Sequence, residues 1–205
     1  MKQEIDPKDT NRGIAFELWT KSPMPMVTIT KTFDVTRLRK VSRRRGMKFN
    51  MLLCWCIGRA ASRIEEFYML PQNDKLYRYD RMAVNVIVNN IKGGLSFCDV
   101  AVCDDLETFN DNYLRLTETI RQTCQDILDE EAVIVGTSAV TGTELDCIVN
   151  QYSGIFNNPF LSWARYRKGW FRTTLPISFQ FHHAQMDGCQ ATRFLEELQK
   201  IINQL

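Results

Sequence analysis

The stretch TLPISFQFHHAQMDG, residues 174–188, contains the only two histidines of the 205-residue chain, and they are adjacent. The residues up to the histidines predict a strand, and the sequence after Gly188 predicts an amphipathic helix. Gly188 allows the backbone to turn sharply between these elements, and Asp187 is placed to cap the helix or to pair with an arginine. The stretch therefore predicts a strand, a turn and a helix, with histidine at the chain reversal.

The two histidines cannot form a metal site together. Neighbouring side chains of a strand point to opposite faces of its sheet, so His182 and His183 would face apart. The chain has no further histidine to complete a histidine-rich zinc site, and we therefore predict no metal. One histidine in a cleft suits another chemistry, because neutral imidazole is the usual general base for a hydroxyl or thiol. The alternative is a core histidine bonded to a backbone carbonyl, with Asp187 acting only as a helix cap.

Composition limits the classes of function. A net charge of +2 gives no wide electrostatic surface for nucleic acid, and 44% hydrophobic residues suit one globular domain over 1–205. The seven basic residues within 37–48 are more typical of a solvated helix face than of an RNA or lipid site. The longest apolar run, residues 51–58, is shorter than the ~20 residues that span a membrane. Seven cysteines without a CxxC pair indicate mostly buried, reduced thiols in the cytoplasm.

Strand and helix patterns are interspersed along the chain, without the regular alternation of a doubly wound nucleotide fold. Strand patterns occupy 26–33, 75–80, 82–90, 95–102, 132–140, 159–166 and 174–183, and helix patterns occupy 10–19, 34–46, 48–64, 105–127 and 188–205. No glycine-rich phosphate loop is present. This order predicts an α/β fold, a two-layer α/β sandwich with a mixed β-sheet.

The heptad HHAQMDG, residues 182–188, resembles the signature of the chloramphenicol acetyltransferase family. Dihydrolipoamide acyltransferases and the condensation domains of peptide synthetases share related versions. The likeness extends over most of the chain, through the flanking segments TLPISFQF and CQATRFLEELQ, the opening IDPKDTNRGIAFELW, the Ser138-Ala139 pair and the segment NPFLSWARY. The resemblance implies a two-layer α/β sandwich and an acyltransferase that uses acetyl-coenzyme A.

The same resemblance implies the catalytic roles. His183 would be the general base, taking a proton from an acceptor hydroxyl that attacks the thioester of acetyl-coenzyme A directly. Ser138 would donate a hydrogen bond to the oxyanion of the tetrahedral intermediate. Asp187 would pair with Arg12 to fix the turn that holds His183, without orienting its imidazole. Ser162 stands where the family usually has a threonine that helps to bind the intermediate through water.

The binding residues also come from the resemblance. Lys48, Arg165 and Tyr166 match positions near the adenosine and phosphates of the coenzyme, although Lys48 could equally be a surface lysine and Tyr166 a core residue. Trp19 and Phe97 match aromatic positions of the acceptor pocket, and both could equally be core aromatics. The family assembles as a homotrimer with active sites at subunit interfaces. The resemblance therefore implies a homotrimer, a small hydroxyl acceptor such as chloramphenicol, and a role in antibiotic resistance.

The acceptor pocket departs from the family pattern more than the catalytic residues do. Pro25 and Val27 stand where the family commonly has a cysteine and an aromatic residue, and VTGTELDC, residues 140–147, lacks a proline-tryptophan pair. Acetyl transfer to a hydroxyl is therefore the stronger prediction, and chloramphenicol as acceptor is the weaker one. Two alternatives stay open: an acyltransferase with a different acceptor, and a non-enzymatic trimeric binding protein of the same fold.

Overall fold

The computed structural model describes all residues from 1 to 205, and they form ten strands and five α-helices. The strands are Lys2–Ile5 (β1), Met26–Asp34 (β2), Met69–Gln72 (β3), Lys75–Tyr79 (β4), Met82–Asn89 (β5), Leu95–Ala101 (β6), Val133–Val140 (β7), Phe160–Ala164 (β8), Arg167–Lys168 (β9) and Thr173–His182 (β10). The helices are Gly13–Trp19 (α1), Thr36–Arg45 (α2), Phe49–Ala61 (α3), Leu106–Thr123 (α4) and Gly188–Gln204 (α5). Short 3₁₀ helices at Pro7–Asp9 and Glu65–Tyr68 precede α1 and β3.

Most of the strands belong to one mixed sheet of seven strands. Six of them follow the order β2-β10-β8-β7-β5-β6, and β9 pairs with the start of β10. Strand β7 runs parallel to both β5 and β8, and the other neighbours are antiparallel. Strands β1, β4 and β3 form a separate antiparallel sheet. The predicted mixed sheet is confirmed, whereas the sequence patterns missed β1, β3 and β9.

Helices α2 to α5 cover one face of the mixed sheet, because burial of their apolar side chains drives them onto it. In α5 the apolar stripe consists of Ala191, Phe194, Leu195, Leu198, Ile201 and Ile202, which are all buried. The Phe179 ring of β10 lies 4.8 Å from the Phe194 ring and 5.8 Å from the Phe67 ring, measured between centroids. The predicted two-layer α/β sandwich is therefore confirmed.

Two helix ends show how single residues set the boundaries. Helix α2 ends where Gly46 adopts a left-handed φ of +68°, which is the role its position predicted. The helix predicted over 105–127 ends four residues early. Cys124 adopts a left-handed φ of +57°, and the Ile127 N–H donates to the carbonyl oxygen of Phe97 in the sheet instead of continuing the helix.

The outer face of the mixed sheet, opposite the helices, carries a row of hydroxyl side chains. Strand register aligns Thr30, Ser178, Ser162 and Ser138 on four neighbouring strands. The hydroxyl oxygens of Thr30 and Ser178 are 2.9 Å apart. The segment 141–159 crosses this row and is hydrogen bonded to it. Ser138 therefore belongs to a polar surface of the sheet and not to the apolar core.

All seven cysteines are free, but only Cys54, Cys56 and Cys98 are buried. The prediction of mostly buried thiols is therefore wrong, because Cys147 and Cys189 lie on the surface. Burial raises the pKa of the Cys54 and Cys98 thiols to about 12, so these two side chains stay protonated at neutral pH.

None of the helices combines the length and the apolar character that a membrane crossing needs.

Candidate active site

His183 lies at the end of β10, where the chain leaves the sheet. The strand ends at His182, and the His183 N–H donates to the carbonyl oxygen of Pro25 over 2.8 Å. The His183 ring stacks on the Trp19 ring with a centroid distance of 4.6 Å and an interplanar angle of 5°. Nδ1 is buried without a hydrogen-bond partner, so Nε2 is the ring nitrogen that stays accessible. Stacking on α1, and not a hydrogen bond, sets the orientation of this imidazole.

Arg12 holds the turn that follows His183. Its side chain is only 3% exposed, and each of its nitrogens donates a hydrogen bond to residues of this turn. Nη2 donates to the His183 carbonyl over 3.0 Å and Nε donates to the Ala184 carbonyl over 3.3 Å. Nη1 donates to Asp187 Oδ2 over 3.0 Å. One buried guanidinium therefore fixes both the backbone of the turn and its acidic residue.

Asp187 links this turn to helix α5. Its Oδ1 accepts the Cys189 N–H over 3.0 Å, and the Gln190 side chain accepts the Asp187 N–H over 3.1 Å, which completes a capping box. Burial alone would raise the pKa of Asp187, but the hydrogen bonds from Arg12 and Cys189 lower it below its usual value. No hydrogen bond joins Asp187 to the His183 imidazole, so the carboxylate acts on the turn and not on the ring.

Replacing Asp187 with alanine is expected to lower the free energy of unfolding by about 3 kcal/mol, because it removes a helix cap and the charge that pairs with a buried arginine. Thermal denaturation should show this as a fall in Tm of about 6–12 °C. Asp187→Asn keeps the side-chain oxygen that caps the helix, so we expect its loss in the free energy of unfolding to be about half as large. An unchanged Tm in the alanine variant would contradict the structural role of this ion pair.

His182 is the histidine that belongs to the protein interior. It is 1% exposed, and its Nδ1 accepts the Ala184 N–H over 3.1 Å. Burial, together with the neighbouring His183, lowers the pKa of His182 to about 4, so this ring is uncharged at neutral pH. The alternative of a core histidine therefore describes His182, while His183 is only half-buried.

Ser138 and Ser162 lie side by side on the outer face of the sheet, on the parallel strands β7 and β8. Ser162 is 1% exposed, and its hydroxyl donates to Asn150 Oδ1 over 2.9 Å, a contact that sequence reasoning missed. Ser138 is half-buried, and no hydrogen bond occupies its hydroxyl. Next to this pair the Phe160 ring lies on Gly136, where an added Cβ would overlap it. Ser138 is therefore the available donor of the two serines.

Phe97 lies on the same outer face, two strands from Ser138. Successive side chains of a strand point to opposite faces of the sheet. Cys98 points into the helix-covered core, so the adjacent Phe97 points to the outer face. Phe97 pairs with Ile87 of the neighbouring strand β5. The parallel register of β5 and β7 pairs Asn85 with Gly136, and two residues further along both strands Ile87 comes to lie beside Ser138. The sheet thus brings Phe97, Ser138 and Ser162 into one row, whereas Trp19 lies with His183.

Within one chain Ser138 and His183 do not meet. Across the sheet, Ser138 pairs with Ser162, and Ser162 pairs with Ser178, which is therefore two strands away from Ser138. Along the chain, His183 lies five residues beyond Ser178. At about 3.3 Å per residue and 4.8 Å per strand, this places the two residues roughly 15–20 Å apart. A hydrogen bond spans about 3 Å, so the predicted base and oxyanion donor of one chain cannot act on the same atoms.

Lys48, Arg165 and Tyr166, the three predicted coenzyme residues, line one cleft of about 770 Å³. Lys168 also lines it, so the cleft carries three cationic side chains against one carboxylate, that of Glu144. This charge balance suits a ligand with phosphate groups. The sequence prediction named residues from two distant segments, and the fold brings them to one place.

The Tyr166 ring in this cleft already has neighbours from its own chain. The Phe49 ring packs against it with a centroid distance of 5.0 Å, and the Arg39 guanidinium lies over it at 6.0 Å. Sequence reasoning missed both contacts, because they join the ring to two different helices. Tyr166 therefore forms part of the wall of the cleft.

Comparisons with known proteins identify the family of the chain. The chloramphenicol acetyltransferase family model matches residues 2–199. Chloramphenicol acetyltransferase 3 of Escherichia coli is 25% identical over 208 residues, which cover 98% of this chain and 96% of the relative. A chloramphenicol acetyltransferase of Clostridium perfringens is 27% identical over 209 residues, covering 96% of this chain and 93% of the relative.

Solved structures show the same fold. A chloramphenicol acetyltransferase superposes with a TM-score of 0.83 at 19% identity, covering 98% of this chain and 100% of the other. A truncated catalytic core of the 2-oxoacid dehydrogenase multienzyme complex from Thermoplasma acidophilum superposes with a TM-score of 0.65 at 17% identity, covering 94% of each chain. The family match over nearly the whole chain confirms the resemblance that the heptad predicted. The chain therefore belongs to the chloramphenicol acetyltransferase family, a family of acyltransferases.

Proposed function

We propose that the protein, as a single domain over residues 1–205, transfers the acetyl group of acetyl-coenzyme A to a hydroxyl group of a small acceptor, with His183 as general base. The observation that carries this proposal is the way His183 is held. Its ring is fixed against Trp19, its backbone is fixed by Arg12, and Nε2 remains accessible. A rigid, accessible imidazole nitrogen is what proton abstraction from a hydroxyl requires.

The reaction follows from this arrangement in two steps. Nε2 of His183 takes the proton of the acceptor hydroxyl while the oxygen attacks the thioester carbonyl, which gives a tetrahedral oxyanion. The Ser138 hydroxyl donates a hydrogen bond to that oxyanion. The intermediate then expels the coenzyme sulfur, which receives the proton from the imidazolium, and the products are the acetyl ester and free coenzyme A. The enzyme forms no covalent bond to the acetyl group in this sequence.

The complete site is formed between two copies of the chain, in a homotrimer. The separation of Ser138 and His183 within one chain supports this, because the two can act together only if a second copy supplies one of them. Exposed apolar residues in the segments that contact the histidine support it as well. Ile14 is 80% exposed, Leu18 is 64% exposed and Met24 is 62% exposed, all within a few residues of Trp19 or Pro25. Such a patch is typical of a surface that is covered in an assembly.

Acetyl-coenzyme A would bind in the cleft that Lys48, Arg165 and Tyr166 line, and the positive charges of Lys48 and Arg165 support this because they suit its phosphates. The acceptor lies between the outer-face row of Phe97 and Ser162 and the Trp19 ring of the neighbouring copy. Binding of the acceptor through Ser162 requires the hydrogen bond between Ser162 and Asn150 to break.

Chloramphenicol is the acceptor that the names of the relatives support, and its acetylation would make the protein an antibiotic-resistance enzyme. Free cysteines suit a reducing compartment, the cytoplasm.

The test follows the formation of free coenzyme A by chromatography, with acetyl-coenzyme A and a set of acceptors, namely chloramphenicol, other small primary and secondary alcohols, and dihydrolipoamide, for which transfer leaves the total number of thiols unchanged. We expect release of coenzyme A that depends on a hydroxyl acceptor. Release with dihydrolipoamide alone would move the assignment to an acyltransferase with a thiol acceptor. If no acceptor releases thiol, the protein is a binding protein of the same fold.

Replacing Ser138 with alanine is expected to lower kcat by about 10²–10³-fold, because it removes the donor that faces the oxyanion. The KM values for both substrates should change little, since the oxyanion exists only after attack. Ser153→Ala is the matched control, because Ser153 is an exposed serine of the segment 141–159. A Ser138→Ala enzyme with the kcat of the unsubstituted protein would remove Ser138 from the mechanism.

A further inference from the structure

Helix α2 carries a basic surface that takes no part in the proposed reaction. Its sequence TRLRKVSRRR contains six lysine and arginine residues and no acidic residue. The sequence alone favoured a solvated helix face for these side chains. In the structure, however, four of them surround one cavity beside the helix, and the other lining residues come from α3, α5 and the start of α4.

This cavity is cationic and has an apolar part. Its volume is about 500 Å³, which is within the range of small-molecule sites. No aspartate or glutamate lines it. The cationic lining residues are Arg37, Lys40, Arg44 and Arg45, and the apolar ones include Val41, Trp55 and Leu106. A concave surface with one sign of charge concentrates ligands of the opposite sign, so the cavity suits a small polyanion.

Three of the four cations have no carboxylate partner. Arg45 forms an ion pair with Glu107, whereas Arg37, Lys40 and Arg44 form none. Most arginines outside α2 do form an ion pair, so the lack of partners is a local property of this surface. The charges beside α2 are therefore available to a ligand.

Helix stability does not explain where these cations lie. The helix dipole favours cations in the last turn, which accounts for Arg44 and Arg45, but it disfavours Arg37 in the first turn. Lys40 follows Arg37 by three residues and precedes Arg44 by four, so like charges are neighbours on one face of the helix. Such pairs destabilise a helix. A bound anion would remove this repulsion.

The wall of the cavity also contains an unsatisfied donor. Trp55 of α3 lines the cavity, and its indole Nε1 is buried without a hydrogen-bond partner. Indole can only donate, and nearly all buried donors are paired in folded proteins. A ligand oxygen that reaches this wall would supply the missing acceptor. The unpaired cations and the unpaired donor therefore both call for a ligand with acceptor oxygens.

We propose that this cavity binds the phosphate chain of a small polyphosphate, at a site separate from the cleft that Lys48 and Arg165 line. Phosphate oxygens accept charge-assisted hydrogen bonds from guanidinium and ammonium groups. The three unpaired cations Arg37, Lys40 and Arg44 match the charge of a di- or triphosphate chain. Inorganic triphosphate and nucleoside triphosphates both carry this chain. The site is independent of acetyl transfer and goes beyond the proposed function.

The experiment is a calorimetric titration with inorganic triphosphate at about 0.15 M salt, where exposed charges are partly screened. The protein carries Lys48→Gln and Lys168→Gln, which remove two of the three cations of the other cleft, so that the signal reports the cavity beside α2. We expect one triphosphate per chain. Adding Lys40→Gln and Arg44→Gln should weaken binding about tenfold or more, because two charge-assisted contacts are lost.

The matched control is Arg43→Gln in the same protein. Arg43 is an exposed arginine of the same helix that does not line the cavity, so this change should leave the affinity for triphosphate unaltered. The inference is overturned if triphosphate does not bind, or if its affinity is the same without Lys40 and Arg44. It is also overturned if Arg43→Gln weakens binding equally, since the effect would then belong to the charge of the whole helix.

Two further titrations define the ligand. A short RNA duplex that binds where triphosphate does not would overturn the inference in favour of a nucleic-acid surface. ATP identifies the source of the phosphate chain. Tighter binding of ATP than of triphosphate would place its organic part on the apolar wall of Val41 and Leu106, and equal binding would assign the site to the phosphate chain alone. Both of these results support the site.

Discussion

Replacing His183 with alanine is expected to lower kcat for acetyl transfer by about 10⁴-fold, the upper end of what a general base contributes. The loss should be this large because no other side chain in the turn can take the proton. Asp187 is occupied by Arg12 and by the cap of α5, and His182 is buried. The measurement is thiol release from acetyl-coenzyme A with the best acceptor of the set, compared with the unsubstituted protein.

The matched control for this variant is His182→Asn. The asparagine oxygen occupies nearly the position of the imidazole Nδ1, so it can still accept the Ala184 N–H. We expect His182→Asn to keep kcat within about tenfold, since His182 acts on the backbone of the turn and not on the acceptor. Equal losses from both variants would show that the histidine pair supports the turn as a unit, and a His183→Ala enzyme with normal kcat would end the general-base mechanism.

The local elements of this fold could be predicted from sequence because nearby residues determine them. The strand, turn and helix of residues 174–188 were predicted correctly, since Gly188 and the capping residue Asp187 act on adjacent backbone. The C-terminal end of α2 at Gly46 was predicted for the same reason. The premature end of α4 was missed, because a left-handed cysteine at position 124 and a bond to the sheet override the helical pattern.

The site itself could be predicted only in part, because its contacts join distant segments. The Arg12–Asp187 pair was expected from the resemblance, and the structure shows it with a distance of 3.0 Å. The stacking of Trp19 on His183 was not expected, since Trp19 was assigned to the acceptor pocket. Likewise no local pattern shows that Ser162 bonds to Asn150. Such contacts depend on the packing of strands and loops, which composition and periodicity do not encode.

If the site is divided between two copies, as proposed, it behaves differently from a site within one chain. His183 lies at one end of β10 beside α1, and Ser138 lies two strands away on the outer face. In a closed ring of copies, each site would then take its histidine from one copy and its serine from the next. A chain that lacks His183 still supplies an intact serine, and a chain that lacks Ser138 still supplies an intact histidine.

Mixing these two inactive variants is therefore expected to restore activity. If His183→Ala and Ser138→Ala chains are unfolded together at equal concentration and refolded, one interface in four should join an intact histidine to an intact serine, because each chain type is chosen with equal chance. Thiol release should then reach about a quarter of that of the unsubstituted protein, well over tenfold above either variant alone. The control is the same mixture combined without unfolding, in which subunits exchange slowly and activity should stay low. If the refolded mixture is no more active than the average of its two components, each copy contains its own complete site, and the proposed assignment of Ser138 to the histidine of a neighbouring copy is wrong.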